Sequence, residues 1–279
     1  FANRVEGVLA LTAAMNRRLG QVDIQVFAGS EGFVAADRLT PASALKVASA
    51  NWLASGLWAA SRMREALLVD VGSTTTDVLM VCEHRVAHRG YTDSERMGYD
   101  ELIYCGVIRT PVMMLARRAP LAGAWCSVMA EHFATAADIY RLTGDLREHA
   151  DQMPAADHGL KTIAGSQQRL ARQFGRDADA LPPQGWRQLA MHLRERQLMT
   201  LGQALEIQWS RGLLTESAPL VGAGVGRFLV RILAERLRRS YVDFAELFPT
   251  TPEATSFTTA DCGPAAAVAG LALQGFMSE

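Results

Sequence analysis

Lysine is almost missing from this chain: Lys46 and Lys161 are the only two among 28 basic residues, the rest being arginine. With 29 acidic residues the formal net charge is −1, so bulk charge gives no reason to expect nucleic acid or a membrane surface as partner. The arginine bias reads as genomic base composition. Cysteine is scarce as well. Cys82, Cys105, Cys126 and Cys262 are widely spaced and form no C-x-x-C pair. That excludes a ribbon-type zinc site and a disulfide framework, and a reduced cytoplasmic setting is expected. Long apolar runs are lacking too: the longest, Ala50 to Ala60 and Gly263 to Met277, fall short of the roughly 18–20 residues of a membrane-crossing helix. No internal repeat or low-complexity linker is present. The 279 residues, 49% hydrophobic and 20% charged, suit a globular protein with a sizeable core.

The most informative stretch present runs from Leu67 to Val81, Leu-Leu-Val-Asp-Val-Gly-Ser-Thr-Thr-Thr-Asp-Val-Leu-Met-Val. An apolar run delivers Asp70 to its end, breaks at Gly72, and leaves on a second apolar run that begins with Asp77. Gly72 lets a ligand approach the backbone, Ser73, Thr74, Thr75 and Thr76 offer hydroxyls, and Asp70 is placed to hold a hydrated magnesium ion. Such a turn can cradle a phosphate or diphosphate. The competing reading is a plain hairpin with a polar turn, since threonine is a good strand former.

Periodicity places other elements around it. Asn3 to Leu19 reads as an amphipathic helix stopped by Gly20, Val22 to Ala28 as a strand, and Pro41 to about Ala60 as one helix capped by Thr40. Strands are expected at Ala66–Val71, Asp77–Cys82, Gly106–Arg109 and Tyr241–Phe248, with helices at Ser127–Leu142, Ser166–Phe174, Trp186–Arg211 and Ala265–Met277. Trp52, Trp58, Trp186 and Trp209 are expected in the core. His84 and His88, four apart in a strand region, do not make a helical metal pair.

A second motif, Gly222-Ala223-Gly224-Val225-Gly226, joins a short strand, Pro219–Val221, to an amphipathic helix. Glycines there admit an anion to a helix N-terminus, or simply allow close helix–strand packing. Asp243 lies about where a dinucleotide fold carries its ribose-binding acid, but Arg227 stands where the last glycine of that fingerprint belongs.

The order Asp-x-Gly-x-x-Thr-x-Asp, then a long interval, then strand–Gly-Ala-Gly–helix resembles the superfamily of acetate and sugar kinases, heat-shock chaperone ATPases and actin. Within it, the words Phe1–Val8, Ala48–Trp52, Asp70–Asp77, Arg109–Val112, Ala137–Leu142 and Asp261–Ala265 are similar to the hydantoinase A/oxoprolinase-like branch. They are closest to its tetrahydromethanopterin-linked one-carbon proteins. The resemblance implies a two-lobed α/β, ribonuclease-H-like fold: 1–62 as the remainder of a first lobe and 63–279 as a second lobe with a helical insertion at about 113–213. The superfamily's first phosphate loop has no match and the chain opens at Phe1 without methionine, so a preceding segment is expected to be missing.

The implied activity is transfer of an aminomethylfuran-methyl group from its diphosphate to the phenol of a glutamyl-tyramine unit, in methanofuran-type cofactor biosynthesis. The alternatives are an ATP-dependent small-molecule kinase or a hydantoinase-type amidohydrolase subunit, and a nucleotide-binding regulatory protein without turnover. The expected ligand-binding residues are Gly72, Ser73, Thr74, Thr75, Thr76, Gly222, Gly224, Arg109 and Lys161. Asp70, Asp77 and Asp138 count as catalytic carboxylates, with Asp70 also the magnesium ligand. For the base that accepts the phenol proton, Asp77, Asp100, Glu101 and Asp138 stay open. Magnesium is the expected cofactor and ATP an undecided one. Partners are small-molecule diphosphate and phenol substrates, with no nucleic acid or membrane, and a homodimer is compatible.

Overall fold

The structure is a computed structural model that describes residues 1–249 and 257–276. Helix α1 (Arg4–Arg18) starts where the Asn3 side chain accepts the Glu6 amide and ends on Arg17 and Arg18, as the helix dipole favours. A hairpin of β1 (Gln25–Phe27) and β2 (Phe33–Ala35) leads into α2 (Pro41–Val47) and α3 (Asn51–Arg62). The single helix expected from Pro41 is therefore two. Helix α2 packs on α1, whereas α3 packs on the central sheet and the C-terminal helix, and these different partners break a run that propensity alone would continue.

Strands β3 (Ala66–Val71), β4 (Thr76–Cys82) and β5 (Arg85–Val86) follow as an antiparallel set, with a tight turn at Glu83-His84 where both φ angles are positive. Then come α4 (Asp93–Gly98), β6 (Leu102–Ile103), α5 (Val112–Leu115), a hairpin of β7 (Arg118–Leu121) and β8 (Ala124–Ser127), α6 (Ala136–Thr143), α7 (Ile163–Gln173) and α8 (Pro183–Trp209). Strand β9 (Leu220–Ala223), α9 (Arg227–Arg236), β10 (Tyr241–Asp243) and α10 (Gly263–Phe276) complete the chain. The main sheet runs β10-β9-β3-β4-β5, with β6 also on β4; β3, β9 and β10 are parallel.

All six residues of β3 are buried, as a central strand covered on both faces must be. Its alternate residues divide between two cores. Leu67, Val69 and Val71 join the core that includes α6, α8 and α9, while Ala66 and Leu68 face α3 and α10. Trp52, Trp58 and Trp186 are buried as expected, and Trp209 packs partly buried on its core.

Four other expectations need correction. The helix read from Ser127 begins at Ala136; ahead of it lies the β7–β8 hairpin, whose turn Ala122-Gly123 takes positive φ at both residues. The region 113–213 is accordingly helical with a hairpin in it. Tyr241–Phe248 is a strand for three residues only, because the Asp243 side chain then accepts the Ala245 amide and caps a 3-10 turn. The final helix starts two residues earlier than read, at Gly263, and Met277 lies outside the described residues. Finally, Gly106–Arg109 is no strand. Its amides turn onto the Asp70 hairpin instead: Val107 N–H donates to Gly72 O (3.0 Å), and those of Ile108 and Arg109 donate to Ser73 O (3.1 and 2.9 Å).

Gly106 makes that contact feasible, since a Cβ there would lie 2.5 Å from Ser73 C and Thr74 N. From behind, the buried Gln197 of α8 donates to Gly106 O (3.1 Å) and accepts from the Tyr140 hydroxyl (2.6 Å). Gly106→Ala is expected to cost about 2 kcal/mol by overpacking backbone against backbone. A lower urea midpoint at unchanged slope would register it; an unchanged midpoint would mean that the hairpin yields freely.

Candidate functional site

The β3–β4 pairing sets Asp70 directly opposite Asp77, and the chain between them closes through Gly72 N–H donating to Thr75 O (2.9 Å). Because the Gly72 and Ser73 carbonyls are turned inward onto residues 107–109, the amides of Ser73, Thr74 and Thr75 donate to nothing among the described residues. Three successive free amides beside hydroxyls form an anion-binding concavity. A cavity of about 310 Å³ opens in front of them, its wall including Asn51, Asp70, Asp77, Gly224, Asp261 and Gly263. Asn51 is the first residue of α3 and Gly263 the first of α10, so two further helix N-termini meet there. Gly224, at φ 79, lies so close that a Cβ would sit 2.5 Å from Asp70 Oδ1.

The two aspartates are treated differently. Asp77 Oδ1 accepts Arg96 Nη1 at 2.7 Å, and Arg96 is itself 1% exposed, donating to Glu101 O and stacking over the Trp52 ring. Burial pushes the Asp77 carboxyl upward and Arg96 pulls it back. Asp70 is only 7% exposed, and no side chain or amide among the described residues donates to it. Burial first, and then repulsion from Asp77, push its pKa up to about 7, with the distant Arg227 opposing. A buried carboxylate with no donor, facing a cavity, suits a divalent cation. Magnesium commonly takes one or two protein carboxylates and completes its shell with water and phosphate oxygens. Among the described residues no group of three or more His, Cys, Asp or Glu gathers for a metal, so any ion here would depend on ligand oxygens in that way.

The other expected residues are distributed as follows. Thr76 turns inward and donates to Cys105 O (2.7 Å). Gly222, in β9, makes room for the Tyr241 ring, 2.7 Å from where its Cβ would be. Arg109 Nη1 reaches Thr74 Oγ1 at 3.4 Å and lines a second cavity of about 360 Å³. Asp138 lies in that second wall, its Oδ1 accepting Ser166 (2.7 Å) and Arg169 (2.9 Å) and its Oδ2 the Thr135 amide (3.1 Å). Lys161 Nζ donates to Asp151 O at 2.6 Å and lines neither cavity. Glu101 accepts the amides of Arg89 and Gly90, and Asp100 sits in a positive-φ turn. His84 and His88 meet backbone carbonyls of Ala60 and Gly90.

Arg227, read only as the misfit in a glycine fingerprint, is a central positioning residue. It bonds Asp243 (2.9 Å), Asp261 (2.5 Å), Gly224 O (3.0 Å) and Thr258 (3.2 Å), tying the glycine loop, β10 and the turn before α10 together. Arg96 and Asn51 were also missed as functional residues. An arginine compensating a buried pair gives no periodic signal, and Asn51 falls inside what reads as an unbroken helix.

Comparison with known proteins adds findings of three kinds. The hydantoinase/oxoprolinase profile matches residues 8–262. A protein of Methanocaldococcus jannaschii named (4-{4-[2-(gamma-L-glutamylamino)ethyl]phenoxymethyl}furan-2-yl)methanamine synthase is 32% identical over 113 residues, 40% of this chain and 34% of that protein. The synthase of the same name from Methanococcus vannielii is 32% identical over 102 residues, 37% of this chain and 42% of its own. The match thus spans less than half the length of either relative. Among solved structures, a nucleotide-free acetone carboxylase chain, from work on ATP-dependent acetone carboxylation, superposes with TM-score 0.52 at 15% identity. It covers 80% of this chain and 33% of that one, a likeness of fold.

The state of Asp70 has a measurable consequence. Its folded pKa, about 7, exceeds the unfolded value of roughly 3.9, so the native state holds the extra proton between those values. Stability therefore falls as pH rises from about 4 through 7. In metal-free buffer Asp70→Asn is expected to match wild type near pH 4 and to exceed it by a few kcal/mol, on the order of 1.4 per pK unit, at pH 8. Chemical denaturation at both pH values checks this; equal stability at pH 8 would mean that Asp70 is not an uncompensated charge.

Proposed function

This chain belongs to the hydantoinase/oxoprolinase family, and we propose that it is a transferase working on a diphosphate ester. In this reading the Asp70 turn holds the diphosphate of an aminomethylfuran-methyl donor. The bond between the furanmethyl carbon and the diphosphate oxygen breaks, and a bond to the phenol oxygen of a glutamyl-tyramine acceptor forms. Diphosphate leaves with the bond electrons, and the phenol gives up its proton. The observation that carries the reading is Asp70 itself, buried with no donor among the described residues, in front of the amides of Ser73, Thr74 and Thr75, which donate to none of them. The names of the two archaeal relatives describe a phenoxymethyl-furan, the ether such a transfer makes. The strand order, three antiparallel strands followed by two parallel ones, supports a ribonuclease-H-like second lobe over 63–279.

Leaving-group chemistry of this kind needs charge neutralisation more than a strong nucleophile. Asp70 would hold magnesium, which supplies Lewis-acid stabilisation of diphosphate oxygens when bound. The loop amides and the N-termini of α3 and α10 orient the remaining oxygens. Asp77 keeps Oδ2 free of donors among the described residues, which supports it as the carboxylate that accepts the phenol proton. Asp138, with three donors already, holds α6 and α7 together. The second reading, an ATP-using kinase or amidohydrolase subunit, is favoured by the family and by the acetone carboxylase fold, because the same turn can hold nucleotide phosphates.

Diphosphate release from the furanmethyl donor, with magnesium, the phenol acceptor and no ATP, separates the two. Turnover is expected, and Asp70→Asn should lower kcat/KM by about 100-fold or more with unchanged circular dichroism. Phosphate release from ATP, with none from the furan ester, would replace this reading by the second.

A further inference from the structure

The second cavity, walled by Ile108, Arg109, Ala137, Asp138, Asp151 and Met153 among others, adjoins the first. Arg109, in the second wall, touches Thr74, in the first. On the opposite side Ala150 lines one cavity and its neighbour Asp151 the other. A ligand bound in the second cavity thus abuts the phosphate turn across a neck formed by Arg109 and Thr74.

The charges in its wall are unevenly matched. Both carboxylates are already neutralised: Asp138 by Arg169 (2.8 Å), and Asp151 by Arg141 (2.6 Å). Three basic groups of the wall have no acidic partner among the described residues: Arg109, His132 and His158. An apolar strip of Met153, Pro154, Ala155 and Ala156 runs beside them. The segment carrying that strip is strapped at its base by Lys161 Nζ on Asp151 O and held farther along by Asp157 on Arg169 (3.0 Å). An apolar wall, an unpaired guanidinium and two imidazoles together suit an aromatic molecule that carries a carboxylate.

We propose that this cavity is the acceptor subsite, and that His132 and His158 select a phenol whose tail ends in a carboxylate, with Arg109 at the neck. The proposal rests on the transferase reading for the identity of the acceptor. The apolar strip takes the ring and directs the phenol oxygen through the neck, past Arg109, while His132 and His158 hold the carboxylate. A charge-assisted contact of this kind contributes about 1.5–3 kcal/mol, which corresponds to roughly 10- to 100-fold in affinity.

The test compares γ-glutamyl-tyramine, which has the carboxylate, with N-(4-aminobutanoyl)tyramine, which keeps the amine, amide and phenol but lacks it. Calorimetric binding to the full chain, without donor, is expected to favour γ-glutamyl-tyramine at least about 10-fold. The double variant H132Q/H158Q should erase most of that preference, in binding and in the ratio of kcat/KM values. Equal affinity of wild type for the two phenols would overturn the subsite proposal, as would a double variant that keeps the preference or loses only donor affinity. Absence of diphosphate release would sink the transferase reading, and in that case preserved carboxylate selectivity in calorimetry would still support the cavity as an anionic-aromatic site.

Discussion

Strand register imposes the constraint on which this molecule turns. Pairing β3 with β4 puts Asp70 opposite Asp77 at the buried end of the sheet, where two like charges cannot both be accommodated without help. Arg96 neutralises one of them, and it does so from beneath Trp52 and Glu101, at the cost of burying a guanidinium. Among the described residues nothing comparable serves Asp70. A fold selected for stability alone would compensate or replace it. The chain instead surrounds it with glycine and with helix starts, so the missing compensation is local and directed at one cavity.

The neighbouring elements are explained by that cavity. Gly224 is compelled by its approach to Asp70 Oδ1 and by its positive φ, and Gly106 by its approach to the back of the turn. The inward hydrogen bonds of residues 107–109 consume the turn's carbonyls, which leaves its amides facing the cavity. Arg227 then fixes the glycine loop against the start of α10. Each contact removes freedom from a group that would face an anion, so binding would not have to order them anew.

Much of this could be read from the sequence. The hairpin, its two aspartates and the glycine loop announce themselves by composition and spacing, as does the helix after Gly226. What escaped reading depends on contacts distant in the chain. The break before Asn51 follows from helices that pack on different partners. Residues 106–109 look like a strand, but their donors are drawn to the turn. The hairpin of β7 and β8 was legible in principle, since Ala119 and Leu121 alternate with exposed neighbours ahead of Ala122-Gly123, a short period-2 signal beside a longer helical one. Lys161 attracted notice by its rarity and turns out to strap a loop.

The proximity of the two cavities bears on which chemistry the site favours. A kinase-like use of the turn needs room for a nucleoside beyond the phosphates, on the Gly224 side. There, Arg227 is bonded to both Asp243 and Asp261, and Tyr241 fills the space over Gly222. Groups already satisfied make poor ligands for a ribose, because each would exchange one bond for another. On the Arg109 side the situation is reversed: Arg109, beside the hydroxyl of Thr74, has no acidic partner among the described residues, and an apolar strip lines the same cavity. Among the described residues the unsatisfied groups therefore lie on the Arg109 side of the turn, which is where the proposed transfer between two small molecules would need them.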